Sequence, residues 1–458
     1  MVLARASQGA PALVWNLFTN VDTSTRSGLM RTIACAWIPC FLLLTTACSS
    51  QPNPSDGAGG EGGSGGSSIS AGGSGGSAGD GGSGAGSGGA GGSGGVGGSG
   101  GEGGSGGAAC SIATTAVPGA SGFLRLPQMV LGADGSGALV YVATMSGGGK
   151  NGTHWAKLGP KAAPSGASVH IDGFARELDV AAAPGGGVVL ATSSFYGDTT
   201  LRWIDDSGAT TRTESIPNSA NRKRPAVAVA NGITYLAWVI DAFTAGAESD
   251  ALWIAGYDDS KMVFGPTQVT VDAKDFDVHL VTVGTDVYLV TAGTLLAWSK
   301  LDATGNLGPS VVAQSGEGKD TSTVAVSQGH LAFGWTNVKS LSPLTRNVEL
   351  RVAGLADGAD LGKLSIDVEN EQGPELVGTE AGFSLAFTSE DPAAGALQYF
   401  ELSPTLTVSR KLKVASSALG LGNGTGSTVG LAIGEAGIFL AHGDPNGALF
   451  TSAIACSP

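Results

Sequence analysis

From residue 125 onward short apolar strands alternate with turn-forming residues, and one unit recurs. Its clearest copy runs from Ala226 to Trp238, where Ala-Val-Ala-Val-Ala and Ile-Thr-Tyr-Leu-Ala-Trp flank Asn231-Gly232. Asn-Gly supplies the positive-φ residues that a tight turn between twisted strands requires, so the stretch predicts a β-hairpin. Weaker copies end in an apolar residue, a small residue and a variable one: Val142-Ala143-Thr144, Leu190-Ala191-Thr192, Leu236-Ala237-Trp238, Leu289-Val290-Thr291, Phe333-Gly334-Trp335, Leu385-Ala386-Phe387 and Leu440-Ala441-His442. Their middle residues are 48, 46, 53, 44, 52 and 55 apart. A period of that size with several strands and no helical pattern predicts an all-β chain, a β-propeller of seven four-stranded blades. Six or eight blades, and a jelly roll or sandwich, are the alternatives; a sandwich does not predict one repeat length seven times over. A third strand follows each hairpin, carrying Trp155, Trp203, Trp253 and Trp298 and later Tyr399 and Phe450, which are expected to pack between blades.

The last copy stops after three strands. Ile112 to Val117, followed by Pro118, resembles the fourth strand of the second copy, Thr211 to Ile216 followed by Pro217. The N-terminal strand is therefore expected to complete the last blade and close the ring. Cys110 then begins the fourth strand where Cys456 ends the third, and a disulfide between them replaces the missing turn; two free buried thiols are the alternative. Closing so long a loop stabilises by something on the order of 5 kcal/mol in the chain-entropy account.

The N-terminal part follows a different pattern. Met30-Arg31 precedes an apolar run from Ile33 to Leu44, interrupted by Pro39 and too short to span a bilayer, which reads as a signal peptide starting at Met30; a genuine leader from residue 1 is the alternative. Residues 51–109 hold 30 glycines in 59 positions and cannot build a core, so they form a flexible tether of roughly 40 Å root-mean-square length. The expected organisation is a leader at 1–47, a tether at 48–109 and a propeller at 110–458. Without the leader 21 basic and 37 acidic residues remain, a net charge of −16. A field of that sign argues against nucleic acid as a partner.

In a propeller, the turns between strands one and two and between three and four share one face. Here they are short: Asp134-Gly135, Asp205-Asp206-Ser207-Gly208, Asp302-Ala303-Thr304-Gly305 and Asp357-Gly358, whose aspartates are turn formers. The opposite face receives longer segments, Met145 to Gly152, Val239 to Asp250 and Val338 to Asn347, and binding residues are expected there. Candidates near the innermost strands are Arg176, Arg222, Arg224, Asp275, Asp320 and Glu371. Paired carboxylates with a neighbouring Arg suit glycoside chemistry; solvated loop charges are the plainer explanation. His154, His170, His279, His330 and His442 are scattered without ligand spacing, and no G-x-S-x-G elbow is present. No cofactor or metal is expected, and the chain is expected to be a monomer.

Leu44-Thr45-Thr46-Ala47-Cys48 resembles the lipobox of bacterial lipoproteins, departing from it at Thr45, where leucine is usual. The resemblance implies diacylglyceryl transfer to Cys48, and Ser49 implies passage to the outer membrane in a two-membrane cell. With the tether and the repeat, the chain looks like the propeller-bearing lipoproteins of bacterial envelopes. That class implies a membrane-anchored surface or periplasmic module that binds a polysaccharide or protein; a carbohydrate-active enzyme and an envelope spacer are the alternatives. Metabolic labelling with a fatty-acid analogue is expected to mark the protein and to be lost in Cys48→Ala; label retained in that variant removes the lipoprotein reading.

Overall fold

The computed structural model describes residues 110–456 apart from 133–134, 145–149, 195–197, 217–224, 241–249, 271–275, 294, 314–321, 342–343, 368–371, 390–396, 416–428, 436 and 445–446. They form seven antiparallel four-stranded sheets. Blades 1 to 6 take residues 123–172, 177–216, 226–269, 277–313, 322–367 and 372–415 in order, and blade 7 joins 429–456 to 110–121. The innermost strand of each blade touches that of the next, and that of blade 7 touches that of blade 1, so the ring is closed. The protein is a seven-bladed β-propeller.

The hairpin chemistry read from the sequence is present. Asn231 and Gly232 have φ of 53° and 73°, and the equivalent Gln328 and Gly329 have 49° and 76°. These are the mirror-image turns that a two-residue hairpin needs. One expectation is corrected: Val338 to Asn347 is not a long loop. The second and third strands of blade 5, His330–Leu341 and Leu344–Gly354, run through it as a paired hairpin. Alternation breaks at Lys339-Ser340, where the register shifts between Val338 and Ser340, and that break hides the strand from a period-two reading.

Each blade hides one face against the blade before it and the other against the blade after it, and the buried apolar residues divide accordingly into seven clusters, one per seam. Between blades 1 and 2, for example, Val140, Val142 and Trp155 meet Leu178, Val188 and Leu190. Blades 7 and 1 share Phe439 and Ala441 with Leu139 and Tyr141. Trp298 lies in the seam between blades 4 and 5 and Tyr399 in that between 6 and 7, while Trp203 and Trp253 pack against the cluster between 2 and 3. Phe450 instead stacks on His442, ring centroids 5.9 Å apart. Fully burying one such side chain is worth about 1.5–3 kcal/mol, so the seams carry the stability of the disc.

Hydrogen bonds also cross between blades at the ring's inner edge. Val227 N donates to Asp179 Oδ2 at 2.9 Å, Leu376 N to Thr323 Oγ1 at 3.1 Å, and Ser327 Oγ to Thr379 O at 2.6 Å. In the composite blade, Cys110 is directly opposite Cys456 and the two form a disulfide across 346 residues of chain. This is the covalent seal anticipated at the place where a turn is missing.

Seam packing reaches the turns as well. Gly208, at φ +84°, ends a turn of blade 2, and a Cβ there would lie 2.6 Å from Cε3 of Trp155 in blade 1. Gly232, at φ +73°, would meet nothing within 4 Å. Gly208→Ala is therefore expected to destabilise the protein more than Gly232→Ala, by about 1–3 kcal/mol of overpacking beyond the shared backbone strain. Denaturant unfolding of the two variants checks this; equal losses refute the Trp155 contact.

Candidate functional site

The two faces of the disc differ in what their polar groups are doing. On the short-turn face, Asp205 Oδ1 accepts from Ser207 N, Ser207 Oγ and Ala209 N at 2.9, 2.7 and 3.0 Å. Asp302 Oδ1 accepts from Thr304 N, Thr304 Oγ1 and Asn306 N, each at 2.8 Å, and Asp258 is bound the same way by Ser260 and Lys261. Donors converging on a carboxylate favour its charged form. The amide of Asn306 foremost, with the Thr304 hydroxyl, brings the Asp302 carboxyl down to about 2, and the Ser207 hydroxyl and the Ser260 amide lead the lowering of Asp205 and Asp258. These carboxylates are occupied by their own turns, as the sequence suggested for Asp205 and Asp302.

On the opposite face, the innermost strands of blades 1 and 2 bring together a group that the sequence identified only in part. Arg176 precedes the strand Glu177–Ala182, its backbone N–H donating to Ser193 O at 2.8 Å. Arg125, from the strand Phe123–Leu131, donates through Nη2 to the Arg176 carbonyl and lies over the ring of Phe174, 5.3 Å from its centroid. Phe174 is 45% exposed. Glu177 is buried beside them. Burial lowers the Arg125 pKa, Glu177 opposes that shift, and Arg176 adds to it. The arrangement is a half-buried guanidinium pair beside an exposed aromatic ring, which suits a ligand with an anionic or hydroxylated group and a flat face.

Of the residues expected to bind, the structure places Arg176 in this corner. Arg222, Arg224, Asp275, Asp320 and Glu371 lie outside the described residues, as does Cys48. Arg125 and Phe174 were missed, because each is alone in its segment and only the closure of blade 1 on blade 2 joins them.

Two histidine arrangements were also beyond sequence spacing. His154 and His170 face each other across the third and fourth strands of blade 1, ring centroids 5.3 Å apart, with Tyr141 stacked on the other side of His154 at 5.4 Å. Their Nε2 atoms bond the carbonyls of Lys150 and Asn151 at 2.9 and 3.1 Å. Burial first, and His170 after it, lower the pKa of His154 against the bond to Lys150. Among the described residues no group of three or more His, Cys, Asp or Glu is arranged to hold a metal ion. In blade 7, His442 Nε2 bonds Ser452 Oγ at 3.0 Å, and Ser452 Oγ bonds Thr114 Oγ1 at 2.9 Å. This resembles part of a serine triad, but Ser452 is fully buried, so no nucleophile is presented.

No family model matches the chain and no curated protein matches it. Among solved structures it is similar to BBS1N in complex with ARL6DN, at 12% identity over 74% of this chain and 94% of that one with a TM-score of 0.46. The Dos1 propeller is similar at 11% identity over 72% and 78%, with a TM-score of 0.42. Likenesses at this level carry no argument about function, and the fold assignment rests on the strand pairing.

Burial, partly offset by Gly443 and Asp444, lowers the His442 pKa from 6.5 to about 4. The folded protein then holds fewer protons than the unfolded chain between those values, so stability is whole above pH 6.5 and falls as pH drops toward 4. The loss amounts to about 3 kcal/mol across that window. In His442→Phe, which places the residue Phe387 supplies in blade 6, the loss of stability between pH 7 and 5 is expected to shrink. Urea unfolding of both proteins at the two pH values measures it; parallel losses refute the assignment to His442.

Proposed function

We propose that the protein is a recognition module, carried at a bacterial envelope on a lipid attached to Cys48, that binds a polysaccharide or a protein through the long-loop face of its propeller. The observation that supports this reading is the difference between the faces. On one, Asp205, Asp258 and Asp302 are held by their own turns. On the other, Arg125 and Arg176 stand beside an exposed Phe174. A ring sealed by a disulfide supplies the rigid scaffold that such a surface needs, and the Gly/Ser tether supplies reach. A propeller by itself implies no reaction, and a module of this kind needs no catalytic set.

The test compares the two faces on living cells. A benzophenone side chain is placed in the intact protein at position 174 or at Asp206, which is exposed on the short-turn face, and irradiated. Adducts are expected at position 174 and not at 206. Adducts at 206 alone, or at neither position, overturn the proposal.

A further inference from the structure

Gln398 is the second residue of the strand Leu397–Leu402 in blade 6, at the end nearest the long-loop face. It is paired with Phe387 and lies two residues before Phe400; both phenylalanines pack against Val348 and Leu350 of blade 5, so Gln398 faces the seam between blades 5 and 6. The residue is 0% exposed, yet among the described residues neither its Nε2 nor its Oε1 has a hydrogen-bond partner.

The wall opposite repeats the anomaly. Thr336 is paired with Val348, and Arg346 lies two residues before Val348, so both share the face turned toward blade 6. Thr336 Oγ1 and Arg346 Nε are buried from solvent and have no partner among the described residues either. Buried polar groups in native proteins are almost always paired, because desolvating them without compensation is costly. Trp155, Trp238 and Trp253 also leave a ring N–H unmatched in other seams, but Gln398 leaves a donor and an acceptor unmatched on one side chain, and two polar atoms of blade 5 lie on the same seam.

Blade 5 supplies the control within the same molecule. Glu349, paired with Trp335, occupies the position that Gln398, paired with Phe387, occupies in blade 6. Glu349 has dedicated partners: Asn347 Nδ2 at 3.2 Å, Asn337 Nδ2 at 3.4 Å and Lys363 Nζ at 3.5 Å. The fold can satisfy a long polar side chain at this level of a blade. At Gln398 it does not.

Charge indicates what the seam accepts. On the outer strand of blade 6, Lys413 is paired with Gln398, and Lys411 is paired with Phe400 and lies over its ring, 5.2 Å from the centroid. With Arg346 they line the seam with three cations in a protein of net charge −14, and among the described residues the strands of its two walls bring no carboxylate to face them. The amide N–H groups of Gln398 and Nε–H of Arg346 ask for acceptor oxygens, and Gln398 Oε1 asks for a hydroxyl donor. A uronic acid offers carboxylate and hydroxyls on one ring.

We infer that the long-loop end of the seam between blades 5 and 6 binds an acidic sugar residue, held by Gln398, Arg346 and Thr336 and drawn in by Lys411 and Lys413. This rests on the reading of the disc as a binding module and adds a place and a ligand class to it. The experiment titrates the intact protein with oligogalacturonate and with neutral maltohexaose by calorimetry, and repeats it with Gln398→Leu and Arg346→Met. Leucine removes the unpaired amide at similar volume, so Gln398→Leu is expected to melt at or above the temperature of the parent while binding oligogalacturonate at least tenfold more weakly. Arg346→Met is expected to weaken binding to a similar degree, and maltohexaose is expected to bind neither variant nor parent comparably. Parent-like binding by folded Gln398→Leu, equal binding of the two oligosaccharides, or no binding of oligogalacturonate by the parent each overturns the inference. If Gln398→Leu leaves binding intact while the crosslink at position 174 persists, the seam assignment falls and the module reading stands.

Discussion

A four-stranded blade has two faces and can bury neither by itself. Each blade here covers one face with the blade before it and the other with the blade after it, and that demand ends only when blade 7 meets blade 1. Were the ring open, Phe439 and Ala441 on one side and Leu139 and Tyr141 on the other would face water. The composite blade is therefore where the whole structure is decided, and it is built from the two parts of the chain that are farthest apart. Loop closure over such a separation carries a large entropic cost. The Cys110–Cys456 disulfide removes much of that cost from the folded side by restricting the unfolded chain, in the chain-entropy account.

Closure also determines where a site can exist. Because blades meet face to face, side chains that reach a seam near its end come under the influence of two sheets at once. Arg125 lies in blade 1 and Arg176 just ahead of blade 2, and they meet because the innermost strands lie side by side. The same holds for Trp155 over Gly208 and for Asp179 on the amide of Val227. The short-turn ends are filled by tight turns whose aspartates bond their own backbones, leaving little for a partner. The long-loop ends receive connections whose sequences vary in length and composition from blade to blade.

What could be read from the sequence divides along the same line. The blade number, the order of strands and the closing strand were legible because they depend on local turn chemistry, as at Asn231-Gly232 and Gln328-Gly329, and on the period between copies. The hairpin through Val338 to Asn347 was not, because a register shift breaks the alternation that marks a strand. The site was legible only at Arg176. Arg125 and Phe174 acquire meaning through a neighbouring blade, and His154 with His170 through cross-strand pairing over 16 residues, relations that no spacing rule along one chain records.

The repeat offers a way to separate what the fold needs from what it merely permits. At the paired position beside the variable residue, successive blades carry Thr200, Trp253, Ala297, Glu349, Gln398 and Phe450. Small, aromatic and charged side chains all occupy it, so the propeller imposes no residue there. In blade 3 the place is filled by stacking, Trp238 on Trp253; in blade 7 by His442 on Phe450; in blade 5 by a carboxylate with three donors. Each of these is a local solution to burying the end of a seam. At Gln398 neither stacking nor a hydrogen bond is seen among the described residues, and both amide atoms are buried and unmatched. On the proposal made for that seam, the amide is explained by what it binds and not by what it supports.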